Sequence, residues 1–130
     1  MILGLGCDFV NIERLKHTQD FVRRFKQRIL GPEEVEEFEK QEFFDIKAAC
    51  CLLAKYYAGK EAFVKALGTG FRDGIFLKDI QILHTDLGKP YLKISGRAAE
   101  YLQKMSDKAQ TFISLTDDYP FAQAVVVIEQ

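Results

Sequence analysis

Apolar and polar positions change rhythm several times along the chain, and each change marks an element. Residues 1–10 alternate loosely, with Ile2, Leu3, Leu5, Cys7 and Phe9 around Gly4 and Gly6, and read as an edge or opening strand. Asn11 is placed to cap a short helical turn reaching His17, and Asp20 to cap a helix over residues 21–30. Phe21, Val22, Phe25 and Ile29 share one face of that helix, opposite Arg23, Arg24, Lys26 and Arg28. Gly31-Pro32 ends it and starts another helix, whose Glu33 and Glu34 suit the positive end of the dipole.

Residues 43–67 carry the strongest helical pattern. Residues 48–54 are apolar on every side, as in a segment running through a core, and residues 55–67 become amphipathic before Gly68, a suitable left-handed cap. Gly59 lies inside this helix, where glycine costs about 1 kcal/mol. Strand-like runs at 75–84 and 91–94 flank Leu87-Gly88-Lys89-Pro90 and suggest a hairpin. Residues 95–108 predict a helix with Ala98, Tyr101, Leu102 and Met105 inward, and residues 111–116 and 121–128 a final strand pair. With little β-α-β alternation, the order favours an α+β fold: a largely antiparallel sheet packed against a long central helix.

The length of 130 residues fits one domain, covering 1–130, with a core that needs no disulfide staples. An apolar fraction of 48% with 28% charged residues excludes a disordered tail or a collagen-like repeat. The longest apolar run, residues 48–54, is far short of the about 20 residues of a membrane span. No signal peptide is expected, because Asp8 interrupts the only candidate stretch. Cys7, Cys50 and Cys51 read as free thiols in a reducing cytosol, which makes the expected location cytoplasmic. No C-x-x-C or paired histidine suggests zinc.

The net charge of −1 conceals segregation. Arg14, Lys16, Arg23, Arg24, Lys26 and Arg28 are opposed locally only by Glu13 and Asp20, whereas residues 33–45 are strongly acidic. The arginine density suits an acidic partner, and a pI near 6.1 argues against nucleic acid.

Two acids stand out chemically. Asp8 lies in an apolar strand, either satisfied by turn amides or serving as a metal ligand at the strand end. Glu61 is the lone acid on an apolar and basic helix face, either paired with Lys65 one turn on or a second metal carboxylate. A metal–phosphate site built on them would also draw on Lys60, Lys65 and the backbone of Gly68, Thr69 and Gly70. Gly68-Thr69-Gly70 follows a helix rather than opening one, so it is no Walker loop.

Together these segments resemble the holo-acyl-carrier-protein synthase group of 4′-phosphopantetheinyl transferases. The likeness is carried by Gly4-Leu5-Gly6-Cys7-Asp8, by Phe25-Lys26-Gln27-Arg28-Ile29-Leu30 and above all by Lys60-Glu61-Ala62-Phe63-Val64-Lys65-Ala66-Leu67-Gly68-Thr69-Gly70. Gly88-Lys89-Pro90-Tyr91, Ser114-Leu115-Thr116 and Ala124-Val125-Val126-Val127 follow in family order. The resemblance implies transfer of phosphopantetheine from coenzyme A to a serine of apo acyl carrier protein, serving fatty acid biosynthesis and releasing adenosine 3′,5′-bisphosphate. It puts Asp8 and Glu61 at the magnesium-ligand positions and makes Glu61 and Lys65 catalytic. Lys60, Lys65, Gly68, Thr69, Gly70, Lys89 and Pro90 become coenzyme A contacts, and Arg14, Arg24 and Arg28 contacts to the acidic helix of the carrier. It also implies a homotrimer with sites between subunits, and neither a nucleic-acid nor a membrane partner.

The chain departs from the family pattern at Asp117, where a histidine is common, and at Tyr56, where an arginine is usual and Lys55 is the nearest substitute charge. The competing readings are a non-catalytic module that binds acidic proteins or RNA through the Arg14 to Arg28 surface, and a metal-dependent pyrophosphate hydrolase.

Overall fold

The computed structural model describes residues 1–130. Strand β1 (Ile2–Asn11) is followed by a single 3-10 turn (Ile12–Arg14) and helices α1 (Gln19–Ile29), α2 (Pro32–Glu39) and α3 (Ile46–Leu67). A second 3-10 turn (Leu77–Asp79) leads into the hairpin β2 (Ile80–His84) and β3 (Pro90–Ile94). Helix α4 (Gly96–Met105) and the hairpin β4 (Gln110–Asp118) and β5 (Phe121–Glu129) complete the chain. One antiparallel sheet has the order β1-β5-β4, the other pairs β2 with β3, and α3 packs across β1 and β5. The α+β architecture expected from the pattern is the one observed.

Helix starts differ from the sequence reading by a few residues, for local reasons. Thr18, not Asp20, caps α1, accepting the Phe21 N–H at 3.1 Å, and Asp20 instead pairs with Arg23 and Arg24 one turn on. Helix α3 begins at Ile46 rather than Phe43, because Asp45 accepts the Ala48 N–H at 2.9 Å. Phe43 stays outside the helix and packs on Phe38, ring centroids 4.9 Å apart. Asn11 caps only the 3-10 turn, which ends well short of His17.

Close approach of β1 to α3 explains the Gly-x-Gly-x-Asp pattern. A Cβ on Gly6 would stand 1.9 Å from the Ala62 carbonyl oxygen, and one on Gly4 2.1 Å from that of Ala66. Only glycine lets the strand lie directly on the helix backbone. Since side chains alternate along a strand, Asp8 lies on this same helix-facing side. Gly6→Ala should therefore cost about 3 kcal/mol, in the range of severe overpacking. Urea unfolding checks this, and an unshifted midpoint would contradict the packing. Gly59, expected as a plain cost, has a packing role instead: a Cβ there would meet the Ile82 Cδ1 at 2.5 Å and the Ile113 Cδ1 at 3.0 Å.

The inner row of the β1-β5-β4 sheet is core, with Ala122, Ala124, Val126 and Ile128 all buried. Its outer row stays open: Leu5 is 66%, Phe9 59%, Phe112 45% and Phe121 41% exposed, and Phe9 stacks on Phe121. Ala98 is buried, with Tyr101, Leu102 and Met105 packed against the same core as predicted. Cys7, Cys50 and Cys51 are free thiols.

Candidate active site

An open cleft of about 630 Å³ runs between β1, α1 and α3. Asp8 from β1 and Glu61 and Lys65 from α3 line it, together with Arg14, Arg28, Tyr57 and an apolar wall that includes Phe21 and Phe25. A smaller cavity of about 290 Å³ adjoins it, the two sharing Arg28, Tyr57 and Glu61. The fold thus brings together Asp8, Glu61, Lys65, Arg14 and Arg28 from four separate elements: β1, the first 3-10 turn, α1 and α3.

Lys65 reaches across to β1, not along its own helix. Its ammonium donates to Asp8 Oδ1 at 3.0 Å and to the Cys7 carbonyl at 2.9 Å, so the expected Glu61–Lys65 pair does not form. The bond to Asp8 holds the Lys65 ammonium above the ordinary lysine pKa, with the Glu61 charge adding to the effect. Asp8 is thereby satisfied by a lysine, not by turn amides. Glu61 Oε1 accepts the Tyr57 hydroxyl at 3.0 Å. Burial, and then this bond, raise the Tyr57 pKa, which keeps the hydroxyl protonated and donating.

Each of the two carboxylates keeps one oxygen without a protein hydrogen bond, Oδ2 of Asp8 and Oε2 of Glu61. Hard carboxylate oxygens facing a wet cleft suit Mg²⁺, which takes one or two carboxylates and completes its shell with water and phosphate oxygens. No group of three or more His, Cys, Asp or Glu residues is placed to hold a metal ion together, so the donor set does not resemble an all-protein cage.

Several expected site residues do not belong to this cleft. Lys60 is fully buried on another side of α3, where its ammonium donates to Glu34 Oε1 at 2.6 Å and to the carbonyls of Leu77 and Ile80. Burial pushes Lys60 down and Glu34 up in pKa, each toward neutrality. The three N–H donors of this ammonium are thereby all engaged within the chain, away from the cleft. The N–H groups of Gly68, Thr69 and Gly70 all point back to carbonyls of the last turn of α3, which leaves none for a phosphate. Lys89 and Pro90 sit at the β2–β3 hairpin and line neither cavity.

Arg24 lies outside the cleft and pairs with Asp20 at 2.9 Å, whereas Arg14 and Arg28 have no carboxylate partner in the chain. Lys55 does not stand in for an arginine, because Asp117 on β4 binds it at 3.0 Å. Tyr56 turns into the core, fully buried, with its hydroxyl unpartnered. Sequence reasoning missed the role of Tyr57, although its spacing one turn before Glu61 was a usable signal. It also missed the pairing of Glu34 with Lys60, a long-range contact for which no local signal exists.

The model of the 4′-phosphopantetheinyl transferase superfamily matches residues 4–124. The chain is 42% identical to the holo-[acyl-carrier-protein] synthase of Sphingopyxis alaskensis, over 99% of this chain and 97% of that one. It is 43% identical to the synthase of Cereibacter sphaeroides, over 99% and 93%. Among solved structures, the holo-[acyl-carrier-protein] synthase of Neisseria meningitidis superposes with a TM-score of 0.82 at 35% identity, covering 100% of both chains. The Helicobacter pylori synthase, crystallised in complex with coenzyme A, gives 0.74 at 28% identity, over 96% of this chain and 99% of that one. Sequence, fold and the meeting of Asp8, Glu61 and Lys65 in one cleft agree, and the chain belongs to the 4′-phosphopantetheinyl transferase superfamily.

Proposed function

We propose that this chain transfers the 4′-phosphopantetheine arm of coenzyme A to a serine of apo acyl carrier protein, releasing adenosine 3′,5′-bisphosphate. The observation that carries the reading is the convergence of Asp8, Glu61 and Lys65 in one open cleft beside two unpaired arginines. The serine oxygen forms a new bond to the pantetheine phosphorus as the bond to the leaving nucleotide phosphate breaks. Asp8 and Glu61 would hold Mg²⁺, which when bound neutralises charge on the pyrophosphate. The Lys65 ammonium, half exposed and tethered to Asp8, is positioned to bind a phosphate oxygen. Arg14 and Arg28 present free guanidinium groups to an acidic helix of the carrier, with Arg24 further out on the same helix as Arg28.

Residues 1–130 act in this reading as one transferase domain, working as a homotrimer in the cytoplasm. No helix is long and apolar enough to cross a membrane. The open apolar row of Leu5, Phe9, Phe112 and Phe121 supports self-association, since burying such a patch is favourable. With coenzyme A between subunits, Lys89 and Pro90 would contribute to the nucleotide site from the surface of a subunit.

A pyrophosphate hydrolase finds less support, because the acidic helix α2 spends its carboxylates elsewhere. Glu34 is taken by Lys60, Glu33 by Lys93, Glu37 by His84 and Glu39 by Lys26.

Incubation with coenzyme A, Mg²⁺ and apo carrier protein should yield carrier heavier by one phosphopantetheine arm in intact-mass spectrometry. Raising the salt to about 0.5 M, where the Debye length falls well below 10 Å, should lower kcat/KM for the carrier severalfold. Absence of the mass gain with several carriers would overturn the reading.

A further inference from the structure

We infer that Tyr57 is a positioning residue: its hydroxyl fixes the Glu61 carboxylate so that Oε2 faces a divalent cation, a role that rests on the transferase reading. The hydroxyl donates to Glu61 Oε1 at 3.0 Å and makes no other hydrogen bond. Its ring is held in place from outside α3. Phe25 of α1 lies against it with centroids 5.9 Å apart, and Phe25 is itself stacked on Phe21 at 5.4 Å. The donor is therefore presented on a rigid, packed ring instead of a mobile chain.

Cations flank Glu61 in the cleft, and the Tyr57 hydroxyl is the one protein donor that holds its carboxylate. Lys65 lies one turn further along α3, and Arg28 borders both of the cavities that Glu61 borders. Neither forms an ion pair with Glu61, although both line the cleft with it and the Glu61 charge acts on Lys65. By engaging Oε1, Tyr57 fixes the rotation of the carboxylate and leaves Oε2 as its oxygen without a protein hydrogen bond. Hydrogen-bond partners of ligating groups typically account for 10- to 100-fold in metal affinity, by orienting the ligand. A phenylalanine at position 57 would pack as the tyrosine does, so the hydroxyl is the part of the side chain that acts on Glu61.

The test compares the full-length wild-type chain with Tyr57→Phe. Mn²⁺ binding in the presence of coenzyme A is followed by electron paramagnetic resonance, thermal unfolding is recorded without metal, and transfer is titrated with Mg²⁺. The expected result is a roughly tenfold weaker Mn²⁺ affinity with an unfolding midpoint within about 2 °C of wild type, and a transfer defect that high Mg²⁺ largely repairs. An Mn²⁺ affinity within twofold of wild type, or a transfer defect that Mg²⁺ leaves unchanged, overturns the role of Tyr57 while leaving the transferase reading intact. A midpoint lowered by more than about 5 °C overturns it as well, since ring packing would then be the cause. A wild-type chain that binds neither Mn²⁺ nor coenzyme A and transfers nothing removes the transferase reading itself.

Discussion

Glu61→Gln is expected to lower phosphopantetheine transfer by about 10³-fold while the folded state survives nearly unchanged. In the proposed role of Glu61 as a metal ligand, loss of the carboxylate would remove several kcal/mol of charge stabilisation, and each 1.36 kcal/mol is a factor of ten in rate. Glutamine keeps the size of the side chain and an oxygen that still accepts the Tyr57 hydroxyl, so packing on α3 is retained. Glu61 borders the cleft and is not in the core, which is why its charge adds little to stability. Intact-mass assay of the carrier and a thermal melt, run on the same preparation, separate the two effects. Turnover within tenfold of wild type would overturn the proposed metal role of Glu61.

Removal of the neighbouring lysine should do the reverse, striking stability first. Lys60→Met leaves the Glu34 carboxylate buried without its cation, and stranding one member of a buried pair costs about 3–5 kcal/mol. The loss should depend on pH in a defined direction. Burial already raises the Glu34 pKa above the ordinary 4.5, against the pull of Lys60 and of the N–H groups of Gly31 and Ile82. Without Lys60 it rises further, so the folded state then holds a proton over a range in which the unfolded state has lost it. Stability of the variant must therefore fall as pH rises through that range and recover on acidification. Urea midpoints at pH 5.5 and 8 measure this, and a variant equally stable at both would contradict it. The double variant Glu34→Gln with Lys60→Met should recover part of the loss, because no buried charge remains.

Much of the architecture was legible because local rules and tertiary packing agree. Alternation in β1, the cap at Gly68 and the Pro32 start of α2 all appear where the pattern put them. The cap of α1 was misplaced because Thr18 and Asp20 are both good cap residues, and the choice depends on which backbone turns extended. Asp20 had charged partners one turn ahead, which a cap argument alone does not weigh. Gly59 was read as a weakness because its merit lies in Ile82 and Ile113, residues distant in sequence.

The site divides along the same line. By itself the amino-acid sequence determined the element types, the family likeness and the placing of Glu61 and Lys65 about 40° apart on one helix face. It also marked Asp8 as an acid that needed a partner. Which partner, and which lysine, only the tertiary structure decided. Lys60 and Lys65 are separated by about 140° around α3, so the packing of β1 on one side and of α2 with β2 on another sends them to opposite fates. One is sealed against Glu34 and the other opens onto the cleft with Asp8. Helix periodicity fixes the angle between two side chains, but what waits at each angle comes from chain segments tens of residues away.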